Sequence, residues 1–451
     1  MRTYNSRHAT LRKIVAVTLT AAMVGMPAAA WSQTAKEQEL EARIAELEKL
    51  VQQLAAEKKA APAPAAAPAA APAAKPIQAS TITPNAAPGT TFVVTGFVKA
   101  DAIWTDTSDG ELADSSIGRD FYVPSTIPIG APQNEEGTDL NAHIKQSRFN
   151  FGTDTVLEGG GKVSTRFEID FFGRADGDQR ISNGYDPVVR HAYVTWGNWL
   201  VGQTWSNFMD VATLPEAVDF IGPTDGTTFV RQPQVRYTTG GFSLSAENRE
   251  TTILPYDVNG AVLATGRIVS DDGYAPDLTA RYAWKGDWGH VALAGLLREL
   301  TYETATIDDS TWAGSLSLSG KFNFGKDDIR WMALYGNLGR YVGLNFATDA
   351  ILDANGNLDS LDGYAGFIAY RHMWTGKLRS TFTYSLQEYD NESILGNSTA
   401  NKSSSSWNVN LFYSPIPKLD IGAEYRQATA ERENGDDGDL DRLQLTTKYS
   451  F

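Results

Sequence analysis

The feature that most constrains this chain is a period of two. From residue 91 to the C-terminus, aliphatic and aromatic residues repeatedly take one parity while polar and charged residues take the other. Thr165, Phe167, Ile169 and Phe171 alternate with Ser164, Arg166, Glu168 and Asp170. Leu278, Ala280, Tyr282 and Trp284 alternate with Thr279, Arg281 and Ala283, and Phe382, Tyr384 and Leu386 with Thr381, Thr383 and Ser385. Successive side chains of a strand point to opposite faces, so this period means strands whose two faces meet different surroundings.

Sixteen such runs are expected: near residues 91–104, 144–153, 162–172, 187–196, 199–206, 229–238, 241–249, 277–285, 288–298, 311–324, 328–337, 363–373, 377–388, 404–413, 418–428 and 440–451. Their connections alternate in length. Gly197-Asn198, Thr239-Gly240, Gly286-Asp287, Gly325-Lys326, Thr375-Gly376 and Pro415-Ile416-Pro417 are short, whereas Thr105 to His143, Glu250 to Pro276, Leu338 to Asp362 and Tyr389 to Ser403 are long. Short turns on one side and long loops on the other, joining strands of about ten residues, are what a membrane-spanning barrel requires. The expected fold is therefore all-β, a 16-stranded antiparallel transmembrane β-barrel over residues 91–451, with both of its ends on the short-turn side. A soluble sandwich would pack two apolar faces together and leave the charged parity of nearly every strand unexplained.

Composition narrows the chemistry. The chain has no cysteine, which excludes disulfides, thiolate metal sites and cysteine nucleophiles. A net charge of −15 disfavours a nucleic-acid surface. Residues 1–30 read as an export signal: Arg2, Arg7, Arg12 and Lys13 precede an apolar run from Ile14 to Met26, and Ala28-Ala29-Ala30 offers the cleavage site before Trp31. The rival reading, an uncleaved anchor, is opposed by Pro27 and by an apolar stretch short of the roughly twenty residues a span needs.

Between signal and barrel, residues 34–59 place Leu40, Ile44, Leu47, Val51 and Leu54 at alternating steps of four and three, a heptad seam. Its a and d positions alone lean toward two strands, but Arg43-Ile44-Ala45-Glu46-Leu47-Glu48 resembles the pattern of short trimeric coiled coils, with Arg43 and Glu48 pairing between helices. A trimer is the favoured expectation; a single amphipathic helix is the alternative. Residues 60–90 begin with a spaced Ala/Pro tract, a semi-rigid linker whose stretch to Pro76 spans roughly 50 Å at about 3.1 Å per residue. The last strand carries Leu443, Leu445, Tyr449 and the terminal Phe451 on one parity. A terminal Phe of this kind resembles the signal read by the outer-membrane assembly machinery.

The order of signal, coiled coil, Ala/Pro spacer and barrel resembles the DcaP-like outer-membrane porins. The phrases that carry the likeness are Val94-Thr95-Gly96-Phe97-Val98-Lys99-Ala100-Asp101, Ser147-Arg148-Phe149, Arg190-His191-Ala192-Tyr193-Val194, Gly202-Gln203-Thr204-Trp205-Ser206 and Arg231-Gln232-Pro233-Gln234-Val235-Arg236-Tyr237. That resemblance implies a trimeric channel in the outer membrane of a Gram-negative cell, taking up small anionic solutes, dicarboxylates in particular, with a periplasmic N-terminal extension. Implied partners are lipid and lipopolysaccharide, with peptidoglycan or a periplasmic protein as candidates for the coiled coil.

In such a barrel the polar parity lines a wet lumen, where charge and pore width decide what passes. Inward-parity arginines recur at 148, 166, 236, 249, 281, 298, 330, 371, 379, 426 and 442. Guanidinium forks suit carboxylates because they donate paired hydrogen bonds without losing charge. Arg148, Arg166, Arg236, Arg281 and Arg298 are the favoured solute-binding residues because they sit within expected strands; the parity of Arg190 and Arg231 is ambiguous. The alternative is that these arginines pair with Glu168, Asp170, Glu247 and Glu424 on the same wall.

Residues 207–228 carry Asp210, Glu216, Asp219 and Asp225 beside Phe208 and Phe220, an apolar content odd for a free loop. They are expected to fold into the lumen as a constriction, their acids facing the arginines across a transverse field; a contact between protomers is the other reading. No cofactor or metal is expected: Asp353, Asn355, Asn357 and Asp359 are spaced like a calcium loop, but Leu358 and Tyr364 replace its required glycine and glutamate. None of the five histidines stands in a recognisable catalytic arrangement, so no enzymatic activity is expected. Other functions weighed are a non-selective or phosphate-type diffusion porin and a structural tether between outer membrane and cell wall.

Overall fold

In the computed structural model, the described residues are Arg43, Glu46, Lys49, and 89–114, 116–130, 138–172, 182–391 and 395–451. Residues 1–75 and 76–451 form separate units. In the first, the three described residues are helical and exposed. The seam positions Leu40, Ile44, Leu47, Val51 and Leu54, together with Glu48, lie outside the described residues, as do the signal segment and most of the linker.

The second unit is the barrel. Its strands are β1 (Thr90–Thr107), β2 (in two pieces, Asp139–His143 and Arg148–Val156), β3 (Lys162–Asp170), β4 (Val188–Trp196), β5 (Trp199–Trp205), β6 (Arg231–Thr239), β7 (Phe242–Glu247) and β8 (Asp277–Gly286). They continue as β9 (Gly289–Glu303), β10 (Asp308–Phe324), β11 (Asp327–Gly336), β12 (Gly363–Met373), β13 (Leu378–Tyr389), β14 (Asn401–Tyr413), β15 (Leu419–Arg432) and β16 (Asp437–Ser450). Each strand pairs antiparallel with its neighbours, and β1 pairs with β16 from Phe97↔Ser450 to Thr107↔Leu440, closing the cylinder. Every one of the sixteen expected runs corresponds to a strand.

Closure explains why the polar parity is tolerated. A closed sheet has no unpaired edge, and its two faces see lipid and lumen. The outer face exposes Val98, Phe151, Val201, Leu244, Leu293, Leu316, Ile368, Phe382 and Leu443. Toward the short turns it is girdled by Trp196, Trp199, Trp284, Trp288, Trp374 and Tyr413, and toward the loops by Trp312, Tyr335 and Tyr364. Such rings suit the two membrane interfaces, where one end of an aromatic side chain is wet. Phe451 completes the seam: its backbone N donates to Gly96 O at 3.0 Å and its ring lies 6.0 Å from Phe149. Gly96 is needed there, because a Cβ would strike the carbonyl of Arg148.

One irregularity repositions functional side chains. Between β3 and β4 the register slips, with Glu168 opposite His191 but Ile169 opposite Val189, so Arg190 is bulged out of the ladder. A bulge breaks the period of two, and both Arg190 and His191 are consequently buried. The ambiguous parity of that strand in the sequence has this physical cause.

Three loops fold inward. Residues 116–130, 206–230 and 337–362 meet the inner wall in an apolar cluster that joins Tyr122, Phe208, Tyr341 and Phe346 to Leu296, Met332, Leu334 and Phe367. At the loop end a small second sheet unites Thr251–Pro255, Ile268–Ser270, Ala350–Leu352 and Leu358–Ser360. It packs Ile253, Leu352 and Leu358 on Leu300 and Ala313 at the loop ends of β9 and β10. Its short three- and five-residue strands lie in segments expected only as loops.

The candidate lumen: covered and open arginines

The loop from Ser206 to Val230 lies inside the barrel, and its acids explain how it is held. Asp225 is wholly buried and accepts four hydroxyl bonds: from Tyr122 at 2.7 Å, Ser385 at 2.9 Å, Ser404 at 2.6 Å and Ser406 at 2.6 Å. Next to it, Gly226 packs on the backbone of Gly366, where any Cβ would collide. Asp210 reaches the opposite wall, accepting from Arg281 Nη2 at 3.0 Å, His290 Nε2 at 2.8 Å and Ser319 at 3.0 Å. Burial pushes the Asp210 carboxyl up, and the bond from His290 with the Arg281 charge more than reverses this, leaving it below the ordinary aspartate value. Glu216 accepts a two-pronged contact from Arg379, with both distances 2.6 Å.

Two of the four loop acids therefore contact arginines, and two do not. Asp225 is satisfied by hydroxyls. Asp219 caps its own turn, accepting from the backbone of Tyr122, Ile221 and Gly222 at 2.9, 3.1 and 3.2 Å.

The inward arginines divide into two sets. Arg190, Arg298, Arg426 and Arg442 are only 1–2% exposed. Arg298 is clamped by Asp277 at 3.2 Å and Asp349 at 2.6 Å, with Asn337 at 3.2 Å, beneath the loop that follows β11. This corrects its expected place on the open wall: position 298 has inward parity, but a loop from elsewhere in the chain covers it. Arg426 and Arg442 likewise donate to loop carbonyls, those of Gly222 and Gly118.

The second set faces water. Arg148, Arg166, Arg281, Arg330, Arg371 and Arg379 have side chains 12–27% exposed. Arg166 pairs with Asp154 at 3.0 Å and Arg281 with Asp210, so each is partly neutralised. Arg148 is more loosely held, 3.5 Å from Glu168 and 3.8 Å from Asp170. Arg236 bonds Gln234 at 2.9 Å and the Trp205 carbonyl, with no carboxylate partner among the described residues. Arg330, Arg371 and Lys321 share the single carboxylate of Asp328, at 2.8, 2.6 and 3.5 Å. Arg166, Arg236, Arg281, Lys321, Arg330, Arg371, Arg379 and Lys448 all lie within five residues of the short-turn end of their strands. Positive charge thus exceeds negative along that stretch of wall.

Arg330, Arg371 and Arg379, which were not among the five favoured arginines, belong to the same water-facing set. Their inward parity was the available signal. Asp353 binds its own turn, accepting from the backbone N of Asn355 and Asn357 at 2.8 Å each, and no group of side chains that could hold a metal occurs among the described residues.

Among known proteins, the DcaP outer membrane protein family matches residues 42–451. The chain belongs to that family. Among solved structures, the outer membrane channel DcaP of Acinetobacter baumannii is 24% identical with a TM-score of 0.65, over 80% of this chain and 98% of that one. OmpF of Salmonella typhi, in complex with daunomycin, is 12% identical with a TM-score of 0.50, over 80% and 98%. Among curated proteins none matches. This DcaP-family protein is an outer-membrane β-barrel channel.

Proposed function

We propose that this channel takes up small anionic solutes, dicarboxylates in particular, along its water-facing arginines. The carrying observation is the imbalance at the short-turn end, where Arg236 has no carboxylate partner among the described residues and three cations share Asp328. A solute carboxylate passing there meets under-committed guanidinium donors without displacing a full set of wall acids. The inward loop narrows the route and keeps Arg281 and Arg379 on the wall through Asp210 and Glu216. No step of chemistry is needed, because selectivity follows from charge and width.

The native form in this reading is a trimer, with residues 1–30 removed on export, residues 34–59 forming the periplasmic coiled coil and residues 60–90 the linker, and with peptidoglycan or a periplasmic protein as the coiled coil's target. Phe451 serves the assembly machinery.

The test is the reversal potential of the full-length protein in planar bilayers across a salt gradient, followed by succinate titration of the single-channel current. Anion preference with concentration-dependent block by succinate is the expected result. Cation selectivity with no response to succinate overturns the proposal and leaves the barrel.

A further inference from the structure

The short-turn rim of the barrel is charged on one side only. Four consecutive turns, β8–β9, β10–β11, β12–β13 and β14–β15, each bring one exposed lysine to it: Lys285, Lys326, Lys377 and Lys418. The lysines that form ion pairs among the described residues are Lys99, Lys145, Lys162, Lys321, Lys402 and Lys448, so all four of these stand outside such pairs. Two acids share these turns, Asp287 and Asp327. Asp327 is committed to β12, bonding His372 Nδ1 at 2.8 Å, Tyr370 Oη at 2.9 Å and Met373 N at 2.8 Å. Residues 76–88, which lead into β1 at the same end, contain no acid.

The remaining short turns are different. Lys162 of the β2–β3 turn is paired with Asp154 at 3.2 Å, and Gly197-Asn198 and Gly240-Gly241 carry no charge. The loop end of β8–β15 has the opposite sign, exposing Asp271, Glu303, Asp308, Asp359, Asp390 and Asp436. In a chain of net charge −15, a basic arc at one end of half the barrel is a local feature that the total conceals.

Each of the four lysines also has an exposed apolar neighbour on the outer face. Lys285 lies between Trp284 and Trp288, Lys326 follows Phe324, Lys377 follows Trp374, and Lys418 follows Ile416. Tryptophan and phenylalanine at this level sit in the membrane interface, and a lysine stem laid along them carries its ammonium to the depth of the lipid phosphates. Ammonium and apolar surface side by side fit an amphiphile better than a dissolved ion or a wholly polar polymer.

We propose that the rim formed by the β8–β15 turns docks anionic phospholipids, those with a phosphodiester and a net negative headgroup, from the leaflet that faces the periplasm. Short turns of outer-membrane barrels lie on that side. The phosphate takes the lysine ammonium and the acyl chains lie along the tryptophan and phenylalanine below it. The role is separate from transport: these lysines stand on the rim, and the water-facing arginines of the lumen take no part.

Phosphatidylglycerol and phosphatidylcholine share the phosphate and the chains and differ in net charge, so together they isolate the electrostatic contribution. Full-length protein is reconstituted in phosphatidylcholine vesicles, and brominated forms of each lipid are added to quench Trp374, whose signal is the difference between wild type and Trp374→Phe. At low salt, brominated phosphatidylglycerol is expected to quench at about one fifth of the membrane fraction that brominated phosphatidylcholine needs. The preference falls to one at about 1 M salt, where screening acts within about 3 Å. It also falls to one when Lys285→Gln, Lys326→Gln, Lys377→Gln and Lys418→Gln are combined. Equal quenching by the two lipids in wild type at low salt overturns the site, as does a preference that survives high salt or all four substitutions. Equal quenching with lysine-dependent retention on isolated cell-wall sacculi gives the rim to the cell wall and overturns the lipid assignment too. The salt titration of wild type decides the matter even where the fourfold variant fails to fold.

Discussion

Arg298 and Arg236 both project from the inner face of the same barrel, and they do opposite things. Arg298 is 1% exposed and holds Asp277, Asp349 and Asn337 beneath a loop, whereas Arg236 answers only to Gln234 and a carbonyl. The same division runs through the molecule: Arg190 is buried against Glu168 and Asp170 of β3, and Arg426 and Arg442 fasten loops, while Arg330, Arg371 and Arg379 remain in contact with the wet lumen. A buried ion pair is costly to break because each partner is left charged without water, whereas a wet one is screened and adaptable. Covered arginines therefore hold the parts that shape the pore, and open ones stay in contact with its water.

This contrast fails if both sets respond alike to substitution. The largest effect is expected for Arg298→Ala, which strands the buried carboxylate of Asp349 and leaves Asp277 to Arg340 alone. Loss of about 3–5 kcal/mol of stability is expected, measured by denaturant unfolding of the refolded barrel against wild type. A loss under 1 kcal/mol would place Arg298 with the open set.

Asp225→Ala comes next. Four hydroxyls lose their shared acceptor, and the inward loop loses its tie to β13 and β14. Release of the loop is expected to cost about 1–3 kcal/mol and to raise single-channel conductance severalfold. Unchanged conductance, in a protein shown to be folded, would mean that the loop stays in place through Gly226 and the apolar cluster alone.

Arg236→Gln combined with Arg371→Gln sharpens the comparison from the other side. Arg330 and Lys321 still neutralise Asp328, so stability is expected to change by less than about 1 kcal/mol. The reversal potential should shift toward zero selectivity. A large stability loss with unaltered selectivity would reverse the assignment of the two sets.

The smallest effect concerns pH. The Asp210 carboxyl sits below its unfolded value of about 3.9, so it adds stability that is fully present above that value and lost as pH falls through the lower folded value. Protease sensitivity of the loop should stay flat from pH 7 to 5 and rise only below about pH 4. A rise already near pH 6 would sink the assignment to Asp210.

Much of the architecture was legible because the signal is local. Leu278 and Arg281 differ in parity, and parity alone sends one to lipid and the other to the lumen. The alternation of short and long connections set the direction of every strand. The bulge at Arg190 was illegible because one extra residue in a strand has no marker of its own in that sequence. The small second sheet was hidden for another reason: Thr251–Pro255 pairs in parallel with Ala350–Leu352, roughly a hundred residues away, and neither piece is long enough to show a period.

The sequence by itself determined that the chain forms a sixteen-stranded barrel, which parity faces water, and that arginine recurs on that parity. Only the tertiary structure decided which of those arginines is covered and which stays open to the lumen. Arg298 is covered by Asp349, 51 residues away, and Arg379 is held by Glu216, 163 residues away. Alternation is a property of neighbours along the chain, fixed by the geometry of the extended backbone. Cover is a property of neighbours in space, supplied by loops that fold back inside the closed cylinder.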